Sequence, residues 1–369
     1  MSEIDEVRTS LQQGKLTRRD VLKLGSALGI GSIVSAALAA CGAQTPATQA
    51  ATSAPEQSAS TEAAANTPVV PPQKKFRAAY AALGVSNSWV AGGVDTMKFL
   101  GDLLGIEFTI FDAAFSIDKQ RQDVEDIASQ DWDFVAIHPG AIESLVDPVK
   151  QMISRGILVF DIDTKLTADL NTLDIVTFLE PDNVFMGSAV TQKLVDAIGG
   201  KGKVVHTQGA LTHTGSQGRA KGFHLVVDKY PDIEVVDETP TDWDPDKSRK
   251  IWEDLLVKYP DIVGGMFHND DLALAAYTAI KAAGKENQIK IVGVDARPPA
   301  LKAVIDGTLL ATVVNPTGRI HGGATWIGWQ ILTGKAKKED VPKFIRTDGP
   351  AIDKEIAPGI LYLAEHLMI

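Results

Sequence analysis

Short apolar runs alternate with amphipathic stretches of helical length along most of the chain. "FRAAYAAL" precedes "VAGGVDTMKFLGDLLG", and "EFTIFDA", "IDKQRQDVEDIASQ", "DFVAIHP", "IESLVDPVKQMISRG" and "ILVFDID" follow. The same rhythm continues through "GKVVHTQG", "SQGRAKGFHLVVDKYP", "IEVVDETP", "DPDKSRKIWEDLLVKYP", "IVGGMFHND", "DLALAAYTAIKAAG", "IKIVGVDA", "PPALKAVIDG" and "LLATVVN". The short runs predict strands and the longer ones helices. Strands that alternate with helices imply parallel sheets covered on both faces. About ten such strands exceed one open sheet of ordinary size. The pattern therefore predicts an α/β protein with two doubly wound, parallel-sheet lobes.

The first 75 residues do not share this rhythm. "LTRRDVLKLG" sets Arg18 and Arg19 ahead of a Gly/Ala-rich apolar run that ends in "LAAC". The run is short and weakly hydrophobic for a membrane span, and its cationic flank suits an export signal. "TRRDVLK" resembles a twin-arginine signal. "LAAC" resembles a bacterial lipobox, in which small residues admit the peptidase and the cysteine takes a lipid. Residues 1–40 are thus expected to be a lipoprotein signal peptide, with Cys41 the lipidated residue. From Gly42 to Pro72 the chain is Ala, Thr, Ser, Gln and Pro, with only Glu56 and Glu62 charged. Such a segment buries too little apolar surface to fold. Residues 41–75 read as an acylated cysteine and a tether, which predicts a body held at a membrane from outside.

Composition narrows the choice of partners. With 369 residues, 44% of them hydrophobic, the chain suffices for about two domains. A net charge of -11 without a basic block argues against nucleic acid and anionic membrane surfaces as partners. The single cysteine rules out an intramolecular disulfide.

In open parallel sheets, ligands bind beyond the carboxyl ends of the strands. The residues there are Ser86 to Trp89, Asp112, His138-Pro139, Asp161 to Asp163, Gln208, Trp243, His268 to Asp270, Asp295 and Asn315. They are rich in Asn, Asp and Trp and include no glycine-rich phosphate cradle; "GGKGK" precedes a strand rather than following one. Asp and Asn bridge neighbouring hydroxyls, while Trp89 and Trp243 suit the C–H face of a sugar.

Over about Phe76 to Gly334 the sequence resembles the ribose/galactose-type periplasmic sugar-binding proteins. The resemblance is carried by "SNSWV", "DFVAIHPGAIESLVDPVKQMISRGILVFDID", "QGRAKGF", "TDWDPDKSRKIWEDLLVKYPDIVGGMFHNDDLALAAYTAIKAAG" and "IKIVGVDARPPALKAVIDGTLLATVV". It implies the type I periplasmic-binding fold, with two lobes joined by three crossovers and the sugar closed between them. The first lobe would comprise residues 76–177 and 316–344, the second 178–315 and 345–369. Asn87 and Trp89 match the family's asparagine and aromatic after the first strand. His138 stands where ribose binders carry an asparagine, Asp163 matches their sugar-binding aspartate, and Trp243 takes the place of an aromatic stacker. Asn269 and Asp295 match further ligand positions, and Asn315 replaces a glutamine at a crossover. Thr164 and Gln217 fall where ribose binders carry arginines, and Arg219 lies two residues beyond the second of these. The loss of two bidentate donors argues against ribose itself and leaves another pentose, a hexose, a sugar alcohol or an inositol.

Other chemistry finds less support. His206, His213, His224, His268, His321 and His366 show no metal spacing, and no metal or cofactor is expected. Asp161 and Asp163 could suggest a glycosidase pair, but one ligand-binding aspartate beside a solvated neighbour is the preferred reading. In "FHNDDLALAA", Asn269 is expected to meet the ligand, Asp270 to cap the helix and Asp271 to favour its positive end. The expected function is a monomeric, lipid-anchored solute-binding protein that hands a sugar or polyol to the permease of an ABC importer. An anchored sensor for a receptor kinase or chemoreceptor is the alternative. A secreted hydrolase or oxidoreductase lacks an acid/base pair or cofactor cradle. A sugar-responsive repressor is excluded by the export signal and the missing DNA-binding headpiece.

Overall fold

The structure, a computed structural model, describes residues 75–347. The export signal, the tether, Cys41 and the tail beyond Thr347 lie outside the described residues. In chain order the elements begin β1 (Phe76–Ala82), α1 (Ser88–Leu104), β2 (Ile106–Asp112), α2 (Ile117–Ser129) and β3 (Phe134–Ile137). Next come α3 (Val146–Ser154), β4 (Leu158–Ile162), β5 (Phe178–Glu180), α4 (Asn183–Ile198) and β6 (Gly202–Thr207). α5 (Thr214–Val227), β7 (Ile233–Asp237), α6 (Pro245–Lys258), β8 (Ile262–Phe267) and α7 (Asp270–Ala282) follow. β9 (Lys290–Val292), α8 (Pro298–Ile305), α9 (Thr317–Leu332) and β10 (Phe344–Arg346) complete the series.

The strands form a six-stranded sheet in the order β10-β5-β4-β3-β1-β2 and a four-stranded sheet in the order β7-β6-β8-β9. Every strand pairing is parallel. β1 is buried along nearly its whole length, as a strand covered on both faces must be. β2, at the sheet edge, alternates instead. Successive side chains serve opposite faces. Ala79 and Ala81 pack with Val135, Ile137, Val124, Ile127, Val149 and Met152 toward α2 and α3. Tyr80 turns the other way and donates its hydroxyl to His321 on α9, 3.0 Å away. The second sheet divides likewise. Val204 and Met266 join Met186, Leu194 and Phe223 of α4 and α5, while Val205 and Phe267 join Trp252 and Leu272 of α6 and α7.

The chain order differs from the sequence expectation in two places. Phe178–Glu180, expected to open the second lobe, pair with β4 and β10 in the first sheet, so the switch between sheets falls after Glu180. β10 also belongs to the first sheet, so the third crossover, expected near residue 345, is not among the described residues. "LLATVVN", expected as a strand, makes only single bridges at Ala311 and Val314 alongside β9 and Asp295.

His321 is fully buried between these elements. Its Nδ1–H donates to the Thr317 carbonyl at 2.9 Å, which leaves Nε2 to accept from Tyr80. Gly93 makes room for the ring, since a Cβ there would lie 2.3 Å from His321 Cε1. Burial lowers the imidazole pKa to about 4. The unfolded chain then binds this proton first, so the His321 contribution is present above about pH 6.5 and is lost as pH falls toward 4. We expect His321→Gln to be less stable than wild type at pH 7. That gap should narrow by about 2 kcal/mol on going to pH 5, as read by urea unfolding at both pH values.

Candidate functional site

The carboxyl ends of both sheets converge on one cavity, lined by Asn87, Trp89, His138, Asp163, Arg219, Trp243, Asn269, Asp295 and Asn315. All were singled out from the sequence. Leu83, Val90, Phe115 and His213 line it as well. Thr164 is buried but does not line the cavity. Gln217 lies exposed on α5 with its amide on the Leu211 carbonyl, 2.9 Å away.

In the first lobe, Asn87 caps α1 by accepting from the Trp89 and Val90 N–H groups at 3.0 and 3.1 Å. Its amide donates to Asp271 of the second lobe at 3.2 Å, and the same carboxylate accepts the Ser88 N–H at 2.8 Å. Trp89 Nε1 donates to the Asn315 carbonyl at 3.1 Å, which fixes the indole at the crossover. Buried Gln120 holds the turn after β3, donating to the His138 carbonyl at 2.7 Å and accepting from Gly140 N–H at 2.8 Å.

Arg219 organises the second lobe. Its Nε donates to Asn183 at 3.1 Å and its Nη1 to the His268 carbonyl at 2.6 Å. Nη2 lies 3.9 Å from Asp295, and the guanidinium carbon sits 5.7 Å from the Trp243 ring centre. Asn315 donates to Asp295 at 3.0 Å. Trp243 lies across Gly209, where a Cβ would fall 2.4 Å from the indole.

The start of α7 reverses the expected division of labour. Asn269, and not Asp270, is the cap, accepting the Leu272 N–H at 2.8 Å while it lines the cavity. Asp270 is buried, accepts from Thr312 Oγ1 at 2.8 Å and the Arg297 N–H at 3.2 Å, and has its pKa pushed up to about 7 by burial. Asp161 is likewise not the solvated neighbour expected of Asp163. It is fully buried, accepts the Leu166 N–H at 2.8 Å, and burial holds its pKa well above the usual carboxylate range.

At the centre, Asp163 Oδ2 lies 3.2 Å from the Nε2 atoms of both His138 and His213, which are themselves 3.2 Å apart. Burial opposes a charge on Asp163, but the two histidines outweigh it and hold the carboxyl well below the usual range. Burial also lowers the His213 pKa, so a neutral imidazole faces an ionised carboxylate. Phe115, Asp163, Trp243 and Asp295 adopt positive φ values of 63°, 63°, 67° and 120°. Such residues cost on the order of 1–3 kcal/mol each and persist where the surroundings impose them. Five polar atoms of the lining are buried without a hydrogen-bond partner among the described residues: Asp163 Oδ1, His138 Nδ1, His213 Nδ1, Trp243 Nε1 and Asn315 Oδ1. In folded proteins generally, buried polar groups are rarely left so.

A second histidine cluster lies outside the cavity. Gly209 N–H donates to His268 Nδ1 at 3.1 Å, which puts the His268 proton on Nε2, 2.8 Å from His206 Nε2. His206 must then donate from Nδ1 to Glu238, 2.8 Å away, and His224 donates to the same oxygen at 2.9 Å.

A cavity at the carboxyl ends of two parallel sheets lies where ligands bind in folds of this kind. The chain belongs to the periplasmic binding protein domain family, whose pattern it matches over residues 79–336. This family works outside the cytoplasm. A xylitol-binding protein of Mycolicibacterium smegmatis is 30% identical over 271 residues, covering 73% of this chain and 75% of that protein. A ribose import binding protein of Bacillus subtilis is 31% identical over 237 residues, covering 64% and 75%. Among solved structures, the fructose-binding periplasmic domain of a hybrid two-component system superposes with a TM-score of 0.66 at 26% identity, covering 79% of this chain and 94% of that one.

Lysine cannot reproduce the forked contacts of Arg219. We expect Arg219→Lys to leave the His268 carbonyl or Asn183 unpaired and to cost about 2 kcal/mol in urea unfolding.

Proposed function

We propose that the protein captures a neutral sugar or sugar alcohol between its lobes and delivers it to an ABC importer. The observation that carries this reading is the set of unpartnered polar atoms around a cavity that also presents Trp89 and Trp243. Each sugar hydroxyl both donates and accepts, so one molecule with several hydroxyls can serve Asp163, Asn315 and the Trp243 N–H together. The indoles meanwhile cover its C–H face. Arg219 is the one arginine lining the cavity, and it donates from Nε to Asn183 and from Nη1 to the His268 carbonyl while Nη2 faces Asp295, so its charge already has a carboxyl group beside it. That favours an uncharged ligand, and the xylitol specificity named for one relative points the same way.

Side chains from both lobes meet the ligand, so binding stabilises the closed arrangement, and the importer reads that shape. The site reading covers Asn87, Trp89, His138, Asp163, Arg219, Trp243, Asn269, Asp295 and Asn315, to which we add His213. The "TRRDVLK" and "LAAC" sequences support export followed by lipid attachment at Cys41, which would hold a monomeric body beside its permease. A sensing role is the second reading, favoured by the fructose-binding domain of the two-component system.

A thermal-shift screen of the full chain against pentoses, hexoses, sugar alcohols and inositols tests the reading. At a hundredfold excess over Kd, the right ligand should add about 2.7 kcal/mol of stability. Asp295→Ala should weaken that ligand at least about tenfold in calorimetry, the loss of one charge-assisted hydrogen bond. A chain that no polyol stabilises would sink the reading.

A further inference from the structure

We propose that His138, His213 and Asp163 form a binding site for a divalent transition-metal ion, typified by zinc, and that the polyol is held partly through this ion. The inference deepens the sugar-binding reading and rests on it for the identity of the second ligand. Its basis is the triangle formed by His138 Nε2, His213 Nε2 and Asp163 Oδ2, with all three sides 3.2 Å.

Protons satisfy that triangle only if both Nε2 atoms donate to Asp163, which leaves two buried Nδ1 acceptors bare. A ring nitrogen carries at most one hydrogen, in the plane of its ring. If both Nε2 atoms are protonated, two donors crowd one another at 3.2 Å. If only one is, a bare nitrogen faces the lone pairs of a carboxylate oxygen at the same distance. A cation makes all three contacts attractive. An ion about 2.0–2.1 Å from each atom would sit roughly 0.9 Å out of their plane and subtend angles of about 100°, close to tetrahedral. Two imidazoles and a carboxylate are a donor set for zinc and its neighbours rather than for calcium or magnesium.

The rest of the site agrees. Both Nδ1 atoms lack protein partners, so nothing in the fold keeps the protons on Nε2. All three side chains are 3% exposed and line the cavity. Three protein ligands leave the ion with open positions, which two adjacent hydroxyls of a polyol can fill. His138 and Asp163 follow strands of the first sheet, whereas His213 precedes α5 of the second lobe. The ion therefore spans the lobes, and its third protein ligand arrives with closure. The His206, His224 and Glu238 cluster offers no comparable site, because the Gly209 N–H fixes a proton on His206 Nδ1.

The full chain, stripped with EDTA and returned to metal-free buffer, is titrated with ZnCl2 by calorimetry. We expect one ion per chain, with binding weakened at least about 100-fold in His213→Ala and unchanged in His224→Ala. Cobalt(II) should give the visible absorption of a low-coordinate site, and adding the polyol found in the screen should alter that spectrum. Zinc should tighten polyol binding at least about tenfold. His138→Gln provides a second ligand deletion should His213→Ala fail to fold. The absence of a stoichiometric ion, or ion binding lost in His224→Ala but not in His213→Ala or His138→Gln, overturns the proposal. Polyol binding of equal strength with and without zinc also overturns it while leaving the sugar reading intact. An ion that binds at these residues in a chain no polyol stabilises would support the metal site and overturn the sugar reading.

Discussion

A buried negative charge governs this site. Asp163 is almost wholly withdrawn from water, yet its carboxyl stays ionised because two histidines face the same oxygen. Isolated in a protein interior, such a charge would cost several kcal/mol or pick up a proton. One of the histidines belongs to the same sheet as Asp163 and the other to the opposing lobe. One of the two contacts to that oxygen therefore crosses between the lobes. Closure and the electrostatics of the binding site are two aspects of one arrangement.

The fold supplies that arrangement economically. Parallel strands place all their carboxyl ends on one side, and helices on both faces leave that side as the open crevice. Anchoring contacts then fix each polar group from behind. Gln120 holds the turn that carries His138, Asn183 and the His268 carbonyl hold Arg219, and Asn315 joins Trp89 to Asp295. Positive φ angles at Asp163, Trp243 and Asp295 aim side chains that ordinary strand geometry would direct elsewhere.

The α/β alternation was legible because long parallel strands are apolar on both faces and amphipathic helices separate them. β5 and β10 were not, since three residues each are too short to carry a period. Strand-end reasoning placed Trp89, Asp163, Trp243 and Asp295 correctly at the cavity, because a strand's end is a property of its own sequence. His213 lies six residues past β6, as far from its strand as Trp243 lies from β7, and it was set aside with the other histidines for want of metal spacing. It could have been found by extending the strand-end list to the start of the next helix. The cap of α7 was misread because Asn269 and Asp270 are both good caps, and only burial at Thr312 and Arg297 assigns Asp270 another task. Gln217, which stands where ribose binders carry an arginine, is exposed on α5 and bonds back to its own loop.

Asp271 carries a different consequence. Its carboxylate sits in the first turn of α7 and also accepts the Ser88 N–H at the first turn of α1, so one negative group serves the positive ends of two helices in opposite lobes. It takes no place in the cavity lining. Parting the lobes must strip α1 of that carboxylate and hand its N-terminus to water. The resting balance between parted and joined lobes thus depends in part on a carboxylate that does not line the cavity, although Asn87, which does, is one of its donors. Ligand specificity and readiness to engage a membrane partner can therefore change independently, through different residues.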